Sequence, residues 1–264
     1  MSPACIFRDA RRIGCVALAW LMCLACLVTE ASAQPVSGPA VVDRSTLTGK
    51  VMCGYQGWFN CEGDGRGLGW THWSLDRRRP PGPGNLHVDL WPDMSELEED
   101  ERYATDCRLA DGSVAHVFSS ANRRTVARHF RWMKDYSIDG VFLQRFTTGL
   151  RRAELKAHKD LVLQHVRHGA ERYGRTFAVM YDLSSMPTGS LQPVLADWKD
   201  LQNNRRVTES PAYQYHAGKP LVAVWGVGFR ERHTPGRYTL KDCEQLIRGL
   251  KSCGCAVMLG IPSG

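Results

Sequence analysis

Asp182 is the residue of this sequence that is best placed for acid–base chemistry. It ends the run TFAVMYD, residues 176–182, whose continuous apolar side chains predict a strand covered on both faces. A carboxylate at the end of such a strand is partly removed from water, a position typical of a general acid or base. The alternative is an aspartate that caps the next turn through the backbone amides of Ser184 or Ser185. The sequence alone leaves both interpretations open.

A second chemical feature is the aromatic segment between the predicted strands at 49–56 and 115–119. Four of the eight tryptophans lie in it, interleaved with histidines and an aspartate: Trp58, Trp70, His72, Trp73, His87, Asp89 and Trp91. Such rings suit a pyranose, because the C–H faces of a sugar pack on rings while its hydroxyls need hydrogen bonds. The alternative is a satellite core under a long loop. For the segment as a whole, the sequence favours a carbohydrate ligand.

Polar and aromatic side chains also follow the other predicted strands. In β/α barrels the chemistry lies where strands end and the following loops begin. With the aromatic segment, the candidate substrate-binding residues are Tyr55, Gln56, Trp58, Trp70, His72, Trp73, Asp89, Trp91, Ser119, Gln144, Arg145, Tyr181 and Trp225. Hydrolysis of a glycosidic bond normally needs two carboxylates. Asp89, Asp93 and Glu209 are candidates for the second, as is an acidic residue beyond Gly264.

Strand and helix patterns alternate along the chain, and we expect them to position these residues. The predicted strands are 49–56, 115–119, 140–144, 176–182, 220–225 and 256–261, and the predicted helices are 123–136, 153–173, 191–203 and 239–252. This recurrence predicts a parallel sheet with right-handed crossovers, either a closed barrel or an open doubly wound sheet. No GxGxxG follows the first strand, which favours the barrel. We therefore expect an α/β fold over 49–264, a (β/α)8 TIM-type barrel truncated after about six strands.

The first 33 residues predict a secretory signal peptide. Arg8, Arg11 and Arg12 precede an apolar run at 13–28, and Ala-Ser-Ala at 31–33 is a cleavage site; residues 34–48 then form a linker. The alternative is a retained membrane anchor. After cleavage we expect a secreted or periplasmic protein without stable membrane association. Cleavage would remove three basic and two acidic residues and lower the formal charge from +7 to +6. The remaining basic residues occur in scattered pairs, which do not predict nucleic-acid binding.

The cysteines and histidines predict no metal and no cofactor. After residue 33 the sequence has neither HExxH nor a CxxC pair. His158, His165 and His168 lie on one predicted helix, where we expect them on its surface. In an oxidising compartment the six cysteines after residue 33 can pair, and we expect Cys53 with Cys61 to staple the aromatic segment.

Five segments of the chain resemble a known group of enzymes. They are VMCGYQGWF, HVDLWPDMSEL, HVFSSANRRTVARHFRWMKDYSIDGVFLQRF, FAVMYDLSSM and PAYQYHAGKPLVAVWG. From about Gly49 to Gly264 the sequence is similar to the bacterial glycoside hydrolase 71/99-like proteins, some of which are labelled xylosidase or arabinosidase. The resemblance implies a (β/α)8 barrel and a glycosidase that cleaves α-linked oligo- or polysaccharides. The alternative is a non-catalytic glycan-binding protein or an inactive fragment.

The resemblance also implies a role for Asp182. It occupies the position of an aspartate that ends a strand in family 71. In family 99 the matching strand carries a glutamate, with a second glutamate three residues on, where this chain has Ser185. The two-glutamate mechanism of family 99 is therefore not expected here.

Overall fold

The computed structural model describes residues 41–184, 186–187, 191–229 and 236–262. The predicted signal peptide, the first part of the predicted linker and Ser185 lie outside the described residues. The rest of the linker packs on the domain, unlike a free linker. Val42 is buried and its N–H donates to the Gly174 carbonyl at 2.9 Å, while the Gln214 side chain donates to the carbonyls of Arg44 and Thr46.

The described elements alternate between strand and helix over most of the chain. The strands are β1 (Met52–Tyr55), β2 (Tyr103–Arg108), β3 (Val114–Val117), β4 (Gly140–Phe146), β5 (Thr176–Asp182), β6 (Tyr215–His216), β7 (Lys219–Trp225) and β8 (Ala256–Gly260). The α-helices are α1 (Arg123–Asp135), α2 (Ala153–Tyr173), α3 (Leu191–Lys199) and α4 (Leu240–Ser252). A π-helical turn, Asp200–Asn204, extends α3, and short 3-10 turns cover Glu99–Glu101, Thr147–Arg151 and Val207–Glu209.

Local sequence signals account for several helix ends. The Asn122 side chain accepts hydrogen bonds from the backbone N–H groups of Arg124 and Thr125 at the start of α1. Thr239 and Asp242 form a capping box at the start of α4. Gly174 ends α2 in the left-handed conformation, with φ 63°. The predicted helices therefore agree with the structure to within a few residues.

The main sheet is built from parallel strands in the order β1, β4, β5, β7, β8, with β6 antiparallel to the start of β7. Each parallel step crosses over through at least one helix. Because the strands are parallel, their carboxyl ends lie at one edge of the sheet. Tyr55, Phe146, Asp182 and Trp225 all lie at this edge.

The two faces of the sheet are covered differently. One face forms a large core with all four described helices, and this core includes Phe130 of α1, Trp198 of α3 and Tyr181 of β5. The buried members of the second core come from strands alone: Phe142, Ala178, Met180, Leu221 and Ala223. Helices on one face and an apolar strand lining on the other are typical of a β/α barrel rather than of a doubly wound sheet.

The barrel is not closed within the described residues, because β1 and β8 lie at opposite edges of the sheet and do not pair. The fold prediction is therefore confirmed for the mixed α/β class and the parallel sheet. It was wrong for the strand at 115–119. That segment overlaps β3, which pairs antiparallel with β2 in a separate two-stranded sheet. β2, which the sequence analysis missed, supplies the partner.

The aromatic segment folds onto this small sheet as a satellite core. Its buried members are Cys61, Trp70, Trp73 and Val117. The predicted Cys53–Cys61 disulfide is wrong, since both residues are free thiols. The Cys61 Sγ instead lies 3.3 Å from the Phe118 carbonyl. Asp64 closes the loop, because its Oδ2 accepts from Asn60 Nδ2 at 2.9 Å, from the Cys61 N–H at 3.1 Å and from Ser119 Oγ at 2.7 Å.

Candidate glycan-binding cleft

A cleft of about 460 Å³ opens at the carboxyl edge of the sheet. The segment after β1, the segment after β4, the first turns of α2 and the residue Ser184 after β5 form its walls. The lining residues are Trp58, Asn60, Leu68, Thr71, His72, Arg77, Phe146, Thr148, Gly149, Arg152, Leu155, His158, Lys159 and Ser184. β1, β4 and β5 are neighbours in the sheet, which brings three segments distant in sequence to one place.

Rings form one wall of the cleft. The centroid of Trp58 lies 4.6 Å from that of Phe146 and 5.3 Å from that of His72. Burial, together with the charges of His87 and Lys159, lowers the pKa of His72 to about 4. The imidazole is therefore neutral near pH 7. A neutral imidazole beside two apolar rings offers a flat surface with a polar edge, which is what a sugar ring requires.

Gly57 fixes the position of this wall against α2. A Cβ on Gly57 would overlap Val162 Cγ1, so no larger residue fits unless the Val162 side chain or α2 moves. The Gly57 carbonyl accepts a hydrogen bond from His158 Nε2 at 3.2 Å. His158 is only 3% exposed, so its predicted place on the helix surface was wrong. The close approach of Gly57 holds Trp58 at the mouth of the cleft.

Asn60 gives the cleft a polar group that lacks a partner. Its side chain is 1% exposed, and its Nδ2 donates to Asp64 at 2.9 Å and contacts His158 Nδ1 at 3.5 Å. Within the described chain the Oδ1 of Asn60 has no hydrogen-bond partner. A buried acceptor without a donor is costly. Because this Oδ1 is closed to solvent, a ligand hydroxyl reaches it only if the side chain turns toward the cleft.

Asp182 lies beside the cleft rather than in its wall. It is 4% exposed. Its Oδ1 accepts the Ser184 N–H at 2.8 Å, and its Oδ2 accepts a 3.5 Å contact from Gln144 Nε2 on β4. The turn-capping contact foreseen for Asp182 is therefore present. The Oδ2 atom of Asp182 lies next to Gln144, at the edge of the sheet where β/α-barrel enzymes carry their catalytic residues.

Two predicted binding residues face the helices instead. Arg145 is fully buried and donates to Asp197 at 2.7 and 3.0 Å and to Asp160 at 2.9 Å. The Tyr181 hydroxyl donates to Asp197 at 2.8 Å. The reason is strand alternation: Gln144 and Asp182 point to one face of the sheet, so Arg145 and Tyr181 point to the other. Both residues join strands to helices, away from the cleft.

Three of the four tryptophans lie in the satellite core. Trp70 is 6% exposed and Trp73 is 3% exposed. Trp73 donates to the Phe118 carbonyl at 2.8 Å, and Trp91 donates to the His116 carbonyl at 3.0 Å. Ser119 is also buried there, bonded to Asp64. Only Trp58 of the four lines the cleft. The satellite-core interpretation is therefore confirmed for the other three, and carbohydrate binding by Trp58 stays a prediction.

The remaining candidates lie outside the cleft wall. The Tyr55 hydroxyl is 2.8 Å from His129 Nδ1 on α1. Trp225 is 36% exposed and packs on Phe229. Gln56 and Asp89 are exposed. Neither alternative second carboxylate lines the cleft: Asp93 is exposed and accepts the Ser95 N–H, and Glu209 pairs with Arg206.

Sequence reasoning missed several residues of the cleft wall. Asn60, Phe146, Arg152, His158 and Lys159 had not been singled out as binding residues. Phe146 shares a face with Gln144 by strand alternation, so the sequence held a signal for it. The helical segment after β4 supplies Arg152, His158 and Lys159. Its sequence pattern does not show which of its residues face the cleft.

Two structural features bear on ligands and membranes. In the described ranges, no group of three or more His, Cys, Asp or Glu side chains is arranged to hold a metal ion. No helix of the described chain combines the length and the apolar character needed to cross a bilayer.

Comparisons with known proteins return a structural likeness only. No protein-family model matches the sequence, and no curated protein matches it. Similar solved structures include a family 99 endo-α-mannosidase from Bacteroides thetaiotaomicron, with TM-score 0.39 and 18% identity over 70% of this chain and 46% of the enzyme. A complex of a family 99 endo-α-mannosidase from Bacteroides thetaiotaomicron with bis-tris-propane has TM-score 0.42 and 13% identity over 70% and 42%.

The chain thus spans less than half of either enzyme. With TM-scores below 0.5, these likenesses carry no conclusion about the fold or activity of this chain. No comparison supports the xylosidase or arabinosidase label attached to part of the glycoside hydrolase 71/99-like group.

Proposed function

We propose that this protein is a glycoside hydrolase that binds an oligo- or polysaccharide in the cleft at the carboxyl edge of the sheet. The observation that carries the proposal is the Trp58–Phe146 ring wall, in a cleft whose lining also includes the polar side chains of Asn60, Thr71 and Thr148. Rings take the C–H face of a sugar and polar groups take its hydroxyls. The α linkage of the substrate rests on the sequence resemblance alone.

The catalytic role in this proposal belongs to Asp182. Its carboxylate is buried next to the cleft, and the amide of Gln144 lies at its Oδ2. A carboxylate in this position can donate a proton to a departing glycosidic oxygen or accept one from water. Ser184, which lines the cleft, is held to Asp182 through its backbone N–H, so the acid is coupled to the cleft wall.

One observation favours a second candidate, a non-catalytic glycan-binding protein. None of the residues that line the cleft is an aspartate or a glutamate, whereas hydrolysis normally uses two carboxylates. A protein that only binds glycans would need the ring wall and the polar groups but not the acid pair. Export from the cytoplasm is part of both proposals and is supported by the signal-like composition of residues 1–33.

Hydrolysis of α-linked oligosaccharides separates the two candidates. The full chain is incubated with a panel of α-linked gluco-, manno-, xylo- and arabino-oligosaccharides, and reducing ends and binding are measured on the same samples. The hydrolase predicts turnover that falls by about 10²-fold or more in Asp182→Asn. As the matched control we choose Asp111→Asn, because Asp111 makes the same contact to an N–H two residues on but lies in an exposed turn. Binding without turnover in the parent protein would establish the binding candidate instead.

A further inference from the structure

The cleft carries positive charge that the proposed chemistry does not use. Arg77, Arg152 and Lys159 line it, and no aspartate or glutamate does. Arg152 is partly neutralised, because its guanidinium pairs with Glu154 at 2.6 Å. Arg77 makes no ion pair within the described residues, and its charge acts on Glu154 only at longer range. The cleft therefore presents cations without balancing acids in its wall.

Lys159 is the most exceptional of these cations. It is half-buried, and its Nζ would lie 2.8 Å from a Cβ on Gly149, so the ammonium sits against the backbone of the cleft wall. Over the part of the chain that the structure describes, no hydrogen bond or ion pair joins it to another residue. A half-buried ammonium without a protein partner has lost part of its hydration, and a bound anion would compensate that loss.

Lys156, one turn earlier on α2, shows what a structural lysine of this helix does. Its Nζ bonds Asp160 at 2.9 Å and Asp200 at 3.3 Å. Burial opposes the charged form of Lys156, but those carboxylates outweigh it and raise the pKa of Lys156. Burial and the charge of Arg145 lower the pKa of Lys159 to about 8, although Asp197 and Asp160 oppose the change. The structural acids are thus used by Lys156, and Lys159 is left facing the cleft.

We propose that the cleft selects a glycan whose sugar carries an anionic group, with Lys159 as the principal counter-ion and Arg77 as the second. A uronate carboxylate and a sulfate ester both fit this chemistry, since each is an oxygen anion that accepts hydrogen bonds from an ammonium or a guanidinium. The sugar ring lies on Trp58, and its anionic group points toward α2. The inference rests on the proposed use of the cleft as a sugar site.

The test compares matched neutral and anionic oligosaccharides. Binding of neutral hexose oligosaccharides, of the corresponding hexuronate oligosaccharides and of sulfated hexose oligosaccharides is measured by calorimetry at low salt and again at about 0.5 M NaCl. We expect an anionic ligand to bind at least about tenfold more tightly than its neutral counterpart, as a charged hydrogen bond typically contributes. The preference shrinks in high salt because the cleft is open to solvent. The uronate and sulfate arms identify the anion.

Lys159→Met tests the assigned residue, because methionine keeps most of the side-chain length without the charge. It should reduce the affinity for the anionic glycan about tenfold or more and leave binding of neutral glycans unchanged. Lys251→Met removes a lysine from the exposed end of α4 and should change neither. Equal affinity for neutral and anionic glycans, or an anionic preference that survives Lys159→Met, would overturn the inference. Tight anionic binding without turnover would support it while removing the hydrolase proposal.

Discussion

Gln144 and Asp182 face each other across β4 and β5, with Gln144 Nε2 3.5 Å from Asp182 Oδ2. Their chain neighbours make the opposite contact. Arg145 and Tyr181 meet at the Asp197 carboxylate on α3, on the far side of the same two strands. Two adjacent pairs of polar residues therefore have different roles: one lies beside the cleft and the other holds the sheet to its helices.

Replacing Arg145 should destabilise the protein far more than replacing Gln144. Arg145→Met leaves the buried carboxylate of Asp197 without its main partner, and we expect a loss of about 3–5 kcal/mol in unfolding free energy. Gln144→Ala removes one long contact and should cost less than about 1 kcal/mol. Urea unfolding of both variants measures the difference. Adding Asp197→Asn to Arg145→Met should recover part of the loss, because the uncompensated charge disappears.

Asn and Ala at position 182 should separate stability from chemistry. Asparagine retains an oxygen that can accept the Ser184 N–H, so Asp182→Asn should melt at or above the temperature of the parent. Asp182→Ala loses this contact and should lower the unfolding free energy by about 1 kcal/mol. Both variants should lose turnover alike, by about 10²-fold or more. Turnover that follows the melting temperature would show that Asp182 is only a turn cap.

The tryptophans should also divide into two groups. Trp58→Ala should weaken glycan binding about tenfold or more, because its ring forms the cleft wall. Trp73→Ala should destabilise the satellite core by about 3–5 kcal/mol, because its ring is buried against Phe59 and Phe118. Calorimetric titration and thermal unfolding of each variant check the two effects. Comparable losses of affinity in both variants at a temperature where both are folded would contradict the division.

The sequence predicted the elements of the main sheet better than the site they carry. β5 and α2 agree with their predicted limits because their apolar patterns are long and end at polar residues. The aromatic segment has no such period. Its fold depends on the contacts of Asp64 with Asn60 and Ser119 and on the pairing of β2 with β3. Neither feature leaves a repeating pattern in the sequence.

Strand alternation could have improved the site prediction. Once Asp182 is placed on one face of β5, Tyr181 must point to the other, and the same holds for Gln144 and Arg145 on β4. Strand alternation gives no way to distinguish the role of Lys159 from that of Lys156. Both lie on α2 three residues apart, and only the positions of Asp160 and Asp200 in space decide which lysine is paired.

The last prediction concerns His158, which should make the protein less stable as the pH falls from about 6.5 to 4. Burial and the charge of Lys159 lower the pKa of His158 to about 4, although the hydrogen bond to the Gly57 carbonyl opposes the change. In the unfolded chain the pKa returns to about 6.5. Between these two values the unfolded chain binds a proton that the native protein does not, so the unfolding free energy decreases with falling pH; above about 6.5 the contribution is constant. We expect His158 to account for about 1–3 kcal/mol of the loss between pH 7 and pH 4.

His158→Gln can still donate to Gly57 and does not titrate, so its stability should depend less steeply on pH than that of the parent. His216→Gln, at an exposed position, is the control and should follow the parent. Urea unfolding at half-unit pH intervals measures the three slopes. Parallel curves for the parent and His158→Gln would mean that His158 does not titrate differently in the folded and unfolded states.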